Sequence, residues 1–196
     1  MNHYFDNNEN LKSEEIKRKA IINGKEFEFL TDNGVFSKKG LDFGTRSLLE
    51  SIDTTKINGK VLDFGCGYGP IGIYISRMTK AEVHMIDVNR RSLELARRNV
   101  NLNHVNVQIY ESNIYENVND IFDYIISNPP IRVGKKILYE ILFKAYDHLK
   151  EKGELWIVVN KDQGAKSLMK DLEKTYKVEL VNKNKGFYII RCIKEA

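Results

Sequence analysis

Ser127-Asn128-Pro129-Pro130-Ile131 follows the apolar run Ile121-Phe122-Asp123-Tyr124-Ile125-Ile126. Two prolines cannot continue a strand, because each lacks a backbone N–H and has its φ fixed, so the chain must turn there. At the carboxyl edge of an open α/β sheet, where ligands bind, that turn leaves the Asn128 amide and the Pro129 carbonyl as neighbouring acceptors. Such a pair suits an NH2 group. An ordinary Pro-Pro strand terminator would contain the same residues and do no chemistry.

A second candidate is Val61-Leu62-Asp63-Phe64-Gly65-Cys66-Gly67-Tyr68-Gly69-Pro70, with glycines at alternate positions where a strand passes into a helix. Gly65 and Gly67 permit positive φ and close approach of a ligand to bare backbone, and the helix N-terminus adds unpaired N–H groups. The spacing is not the dinucleotide fingerprint G-x-G-x-x-G. Asp63 just before the loop would repel a pyrophosphate and welcome an ammonium or sulfonium. Asp87 ends Val83-His84-Met85-Ile86-Asp87, about 20 residues beyond the loop, where a carboxylate accepts ribose hydroxyls in nucleotide-binding sheets. Together these outline a nucleoside with an amino-acid tail. The bland alternatives are a structural tight turn for the glycines and a helix-capping role for Asp87, although Asn89 could take the cap. Ser112-Asn113 could face an adenine edge through the Asn amide, or form a plain Asx turn.

These groups need a sheet to hold them. From Lys60 the chain alternates short apolar runs with helical periodicity, the pattern of a mostly parallel sheet covered on both faces. Strands are expected at Val61–Phe64, Glu82–Asp87, Val105–Tyr110, Phe122–Ser127 and Glu154–Asn160, and helices at Gly69–Met78, Arg90–Leu102, Lys135–Leu149 and Gln163–Thr175. Lys177–Val181 and Phe187–Ile193 are joined by too few residues for a parallel crossover, so they pair antiparallel at one edge. Ahead of this region, Ile16–Ile22 and Lys25–Leu30 flank Asn23-Gly24, a hairpin signal. Thr45 is expected to cap a helix through Leu48, Leu49 and Ile52. The organisation is therefore an N-terminal extension with a β-hairpin, residues 1–33, and a single α/β domain, residues 34–196.

With 196 residues, 42% of them hydrophobic and 30% charged, the chain can bury one real core. A net charge of +4 permits a nucleic-acid partner without demanding one. Cys66 and Cys192 belong to no CxxC pair, and His3, His84, His104 and His148 are scattered. No metal site or disulfide framework is expected. Acidic and Asn-rich residues stand where a signal peptide would need a basic then apolar segment, and no apolar run is long enough to span a membrane. A reducing cytoplasm is the expected setting.

The blocks Gly34-Val35-Phe36-Ser37, Asp42-Phe43-Gly44-Thr45, Asp63-Phe64-Gly65-Cys66-Gly67, Asp87-Val88, Ser112-Asn113 and Ser127-Asn128-Pro129-Pro130 occur in this order. The chain resembles the class I S-adenosylmethionine-dependent methyltransferases over about residues 34–193. Within that class the blocks resemble the RsmC-like group, guanine-N2 methyltransferases of small-subunit ribosomal RNA. The resemblance implies a Rossmann-like, mostly parallel seven-stranded sheet with its last strand antiparallel, and S-adenosylmethionine as cofactor. It implies cofactor contacts from Phe36, Asp63, Gly65, Cys66, Gly67, Asp87, Val88, Ser112, Asn113 and Asn128. It makes Asn128, Pro129 and Pro130 the catalytic segment, and ribosomal RNA or the small subunit the partner. Phe36, Ser37 and Asp42 would form a flap over the cofactor.

One departure is Ile131, where the wider Asn-Pro-Pro class usually has a Tyr or Phe to stack on the target. Ile gives apolar contact without a π face. Ile131, Arg132 and Lys135 are the expected substrate contacts, with Arg132, Lys135 and Lys136 placed to meet phosphates; a merely solvated helix start is the alternative. Two other functions fit the same motifs. One is methylation of an adenine, cytosine or protein-glutamine nitrogen. The other is a noncatalytic RNA-binding module of ribosome assembly, although a scaffold has no use for Gly65, Gly67, Asp87 and Asn128 together.

Overall fold

A computed structural model of the chain describes residues 14–32 and 41–195. Phe36 and Ser37 lie outside the described residues. The chain opens with an antiparallel hairpin, β1 (Ile16–Ile22) and β2 (Lys25–Thr31), turned at Asn23-Gly24, both with positive φ. Two asparagines of α3 (Arg90–Leu102) and its C-cap dock it. Asn99 exchanges hydrogen bonds with the N–H and C=O of Leu30, and Asn103 does the same with Glu28. Each amide thus mimics a neighbouring strand along β2. The Asn99 NH2 also donates to the carbonyl of Tyr68 at 2.8 Å, which ties the hairpin to the glycine loop.

The main sheet has seven strands: β3 (Lys60–Phe64), β4 (Glu82–Asp87), β5 (Gln108–Glu111), β6 (Phe122–Ser127), β7 (Leu149–Asn160), β8 (Lys177–Asn184) and β9 (Phe187–Ile193). Their spatial order is β5-β4-β3-β6-β7-β9-β8. Neighbouring pairs are parallel except those made by β9, which runs antiparallel to both β7 and β8. The order reverses beside β3, whose neighbours are β4 and β6. Such a switch point leaves a crevice outside the carboxyl ends of the strands.

Alternation along the central strands divides the interior into two apolar layers. Val61, Val83, Met85, Ile126 and Val158 face α1 (Phe43–Glu50), α2 (Pro70–Met78), α3 and the hairpin. Leu62, Phe64, Ile86, Ile125 and Ile157 face α4 (Lys135–Lys144) and α5 (Ala165–Leu172). Cys66 and Cys192 are both buried and unbridged. No helix among the described residues is long and apolar enough to cross a membrane.

Several boundaries differ from expectation. Asp42, not Thr45, caps α1: its side chain accepts from the Thr45 N–H, and Thr45 sits within the first turn. The strand expected at Val105–Tyr110 is only Gln108–Glu111, because the Val105 N–H still bonds back to Val100 at the end of α3. The helix expected to reach Leu149 stops at Lys144 and tightens into a 3-10 turn, Ala145–His148. Gly164, with φ at 82°, delays α5 until Ala165.

Candidate active site

Three strand ends converge on the crevice. β3 runs into the glycine loop, where Gly65, Gly67 and Gly69 all have positive φ. A Cβ at Gly67 would meet nothing within 4 Å, so bare backbone faces open space there. Cys66 is turned inward. Its N–H donates to Ile86 C=O at 2.8 Å, its thiol lies near the Gly67 carbonyl, and burial pushes that thiol well above its ordinary value.

Asp63 is fully buried under the loop. Its Oδ2 accepts from the Gly72 N–H in the first turn of α2 at 2.9 Å, while its Oδ1 has no hydrogen-bond partner among the described residues. Burial pushes its carboxyl up to about 8 from an ordinary 3.8; the Gly72 bond opposes this, and the negative field of Asp87 adds to it. An orphaned buried acceptor under a glycine loop is satisfied by a cation small enough to lie on bare backbone, such as the ammonium of an amino acid.

Asp87, at the end of β4, accepts from Gly67 N–H at 2.8 Å through Oδ2 and from Asn89 N–H at 2.9 Å through Oδ1. Asn89, not Asp87, caps α3, accepting from Ser92 N–H. Burial raises the Asp87 carboxyl and the backbone donors pull it down. A carboxylate has about four lone-pair sites, so Asp87 can still accept from hydroxyls. Phe64, Gly65, Ile86, Asp87, Val88, Ser112 and Ile114 line one crevice. The Ser112 hydroxyl is committed to its own turn: it donates to Ile114 C=O and accepts from Asn117 N–H. Asn113 is exposed and not among the lining residues, whereas Ile114, at φ 54°, is. A left-handed φ is disfavoured at a β-branched residue, so no residue pattern announces Ile114 as part of the crevice.

Asn128 follows β6, the other neighbour of β3. Its NH2 donates to Thr45 Oγ1 at 3.1 Å and approaches Asp42 Oδ1 at 3.5 Å, and the Thr45 hydroxyl donates to Asp42 Oδ2 at 2.9 Å. A carboxylate only accepts, so it fixes the direction of this chain: the Thr45 proton points to Asp42, and its lone pairs point to the Asn128 NH2. The Asn128 oxygen must then face away from Asp42. The Pro129 carbonyl accepts no hydrogen bond among the described residues. Ser127 anchors this turn by donating to Phe64 C=O at 2.9 Å, which locks the end of β6 to the end of β3. The Asp42-Phe43-Gly44-Thr45 block, whose Asp42 is expected in a flap, is here the cap of α1 and a brace for Asn128.

The expected substrate contacts are dispersed. Ile131 is half-buried and packed against the layer of α4 and α5. Arg132 is exposed. Lys135 lies over the Tyr139 ring at 5.1 Å from its centroid, and its charge helps lower the Asp171 carboxyl, after the Tyr139 and Lys174 contacts.

A switch-point crevice with a glycine loop at one strand end, a carboxylate at the next and an orphaned acid beneath is the arrangement expected of a class I S-adenosylmethionine-dependent methyltransferase. Comparison with known proteins agrees. The family model for the methyltransferase small domain matches residues 26–191, and the chain belongs to that family. It is 44% identical over 197 residues to the uncharacterized protein YbxB of Bacillus subtilis, covering 98% of each chain. It is 43% identical over 132 residues to ribosomal RNA small subunit methyltransferase C of Haemophilus influenzae, covering 65% of this chain and 40% of that one. Among solved structures, the T. thermophilus 16S rRNA N2 G1207 methyltransferase (RsmC), in complex with AdoMet and guanosine, superposes with a TM-score of 0.84 at 26% identity. That match covers 94% of this chain and 52% of that one. The chain thus spans about half the length, or less, of these two ribosomal RNA methyltransferases.

Proposed function

We propose that this chain methylates an exocyclic amino nitrogen of a nucleobase, guanine N2 of 16S ribosomal RNA. S-adenosylmethionine supplies an electrophilic methyl group on a sulfonium. Asp63, Gly65 and Gly67 receive its amino-acid tail, the charge of Asp63 meeting the ammonium, and Asp87 receives the ribose hydroxyls. Val88 and Ser112 border the adenine side, with Ile114 supplying the apolar wall.

The orientation of the Asn128 amide carries the reading. An aromatic amine is a poor nucleophile because its lone pair is delocalised into the ring. Held by Asp42 and Thr45, Asn128 presents its oxygen as an acceptor, and the Pro129 carbonyl offers a second. Two acceptors on the two N–H bonds favour a pyramidal nitrogen whose lone pair points to the methyl. No strong base is needed, since the methylated ammonium is acidic and sheds its proton readily. Positioning and fixed dipoles then carry most of the rate. Ribosomal RNA as substrate rests on the H. influenzae and T. thermophilus relatives, whose names state it.

The test is methyl transfer from labelled S-adenosylmethionine to 16S rRNA or small subunits by the purified protein. Asn128→Ala should cut turnover by about 10²–10³, the usual loss for one preorganised donor or acceptor, while cofactor affinity persists. Near-normal turnover in that variant would remove Asn128 from the reaction.

A further inference from the structure

No ring follows the two prolines, and Ile131 packs against the core. Rings stand instead further along the same sheet edge. Phe43 and Phe187 have centroids 5.8 Å apart with planes inclined at 52°. Phe187 opens β9 opposite Asn160 and packs so tightly on α1 that a Cβ at Gly44 would lie 3.0 Å from its ring. Phe43 is half-buried and belongs to neither apolar layer. It directly follows Asp42, the brace of Asn128.

One cation lies over this pair and others share its sheet edge. The two-residue turn Lys185-Gly186, with φ of 47° and 84°, holds the Lys185 ammonium 4.9 Å from the Phe43 centroid. Lys161 donates its N–H to Gly186 C=O at 2.8 Å, which places it beside the same turn. Arg132, Lys161 and Lys185 therefore follow β6, follow β7 and precede β9, on one edge of three adjacent strands. All three are exposed and form no ion pair among the described residues. Cations free of ion pairs beside a partly accessible ring suit single-stranded nucleic acid, with rings for bases and ammonium groups for phosphates.

We propose that Phe43 and Phe187 stack the base flanking the target nucleotide of the acceptor RNA, with Lys161 and Lys185 holding its phosphates. The proposal rests on the RNA reading above. β6 and β9 are two strand spacings apart, about 10 Å, so Phe187, at the start of β9, stands one base away from a nucleotide held at Asn128.

Phe43→Leu keeps an apolar side chain and removes the π face; Phe43→Trp keeps both. Methylation kinetics are measured on small subunits, or their 16S rRNA, from cells lacking this protein. Phe43→Leu should raise KM for RNA by about 5- to 150-fold, the range for one lost base stack, with Phe43→Trp restoring it. Lys161→Ala with Lys185→Ala should flatten the log–log salt dependence of RNA affinity by about 0.7 per lost contact. Cofactor affinity and Tm should hold in every variant. Wild-type KM and salt slope in the variants would overturn this surface while leaving the RNA reading intact. A wild-type protein that methylates neither RNA would overturn both.

Discussion

Asp42→Asn tests the brace on Asn128 without disturbing the fold. Asn caps a helix about as well as Asp, so the cap on Thr45 N–H survives through the retained oxygen. What changes is polarity: an NH2 replaces the carboxylate oxygen that received the Thr45 proton. That NH2 donates to the Thr45 hydroxyl, whose own proton then turns to Asn128. The productive amide orientation loses its acceptor at 3.1 Å and keeps only the long approach at 3.5 Å, whereas the flipped amide gains a donor for its oxygen. One neutral hydrogen bond, about 1 ± 0.5 kcal/mol, therefore favours the flipped state. Only about 7–30% of molecules would then present the oxygen to substrate, and kcat should fall about 3- to 14-fold. Single-turnover methylation at saturating cofactor reads this directly, with a thermal melt as control. An unchanged kcat at unchanged Tm would show that Asp42 does not set the direction of the Asn128 amide.

Asp87→Ala should weaken S-adenosylmethionine binding by about 10- to 150-fold by calorimetry, since hydrogen bonds to a charged group are each worth roughly 1.5–3 kcal/mol. Unchanged affinity would remove Asp87 from the ribose. Asp63 sets a pH dependence: its carboxyl is pushed up to about 8 in the folded protein from an ordinary 3.8. Across that window the folded chain keeps a proton that the unfolded chain has released, so stability from this group falls as pH rises from about 4 to 8. An ammonium requires the carboxylate form, so cofactor affinity should climb with pH up to about 8, by at most about tenfold per unit. Calorimetry at pH 7 in buffers of different ionisation heat should show a proton released on binding. Asp63→Asn should abolish that release, and a flat wild-type profile would contradict the assignment.

The sheet was legible because its strands are apolar runs with clear punctuation: Gly65 to Gly69 after β3, Pro129-Pro130 after β6, Asn23-Gly24 in the hairpin. Asp63 and Asp87 could be read from their places at strand ends. The roles of Asp42 and Thr45 were less legible, since they lie far along the chain from Asn128 and meet it only across the fold. Asp42 is itself a good capping residue just ahead of an apolar helix, so the cap could have been read from local rules; the brace could not. Val105 and Val107 carry strand-like side chains yet stay outside β5 because the end of α3 holds the backbone of Val105. Ile114 entered the crevice through a backbone conformation that residue type disfavours.

If this chain places a methyl on guanine N2 of small-subunit ribosomal RNA through Asn128, the modification must follow the gene. Nucleoside mass spectrometry of 16S rRNA reads this in cells with the gene, cells without it and cells carrying Asn128→Ala. One N2-methylguanosine should be lost in the deletion and not restored by Asn128→Ala. An unchanged N2-methylguanosine content in the deletion would contradict the proposed activity.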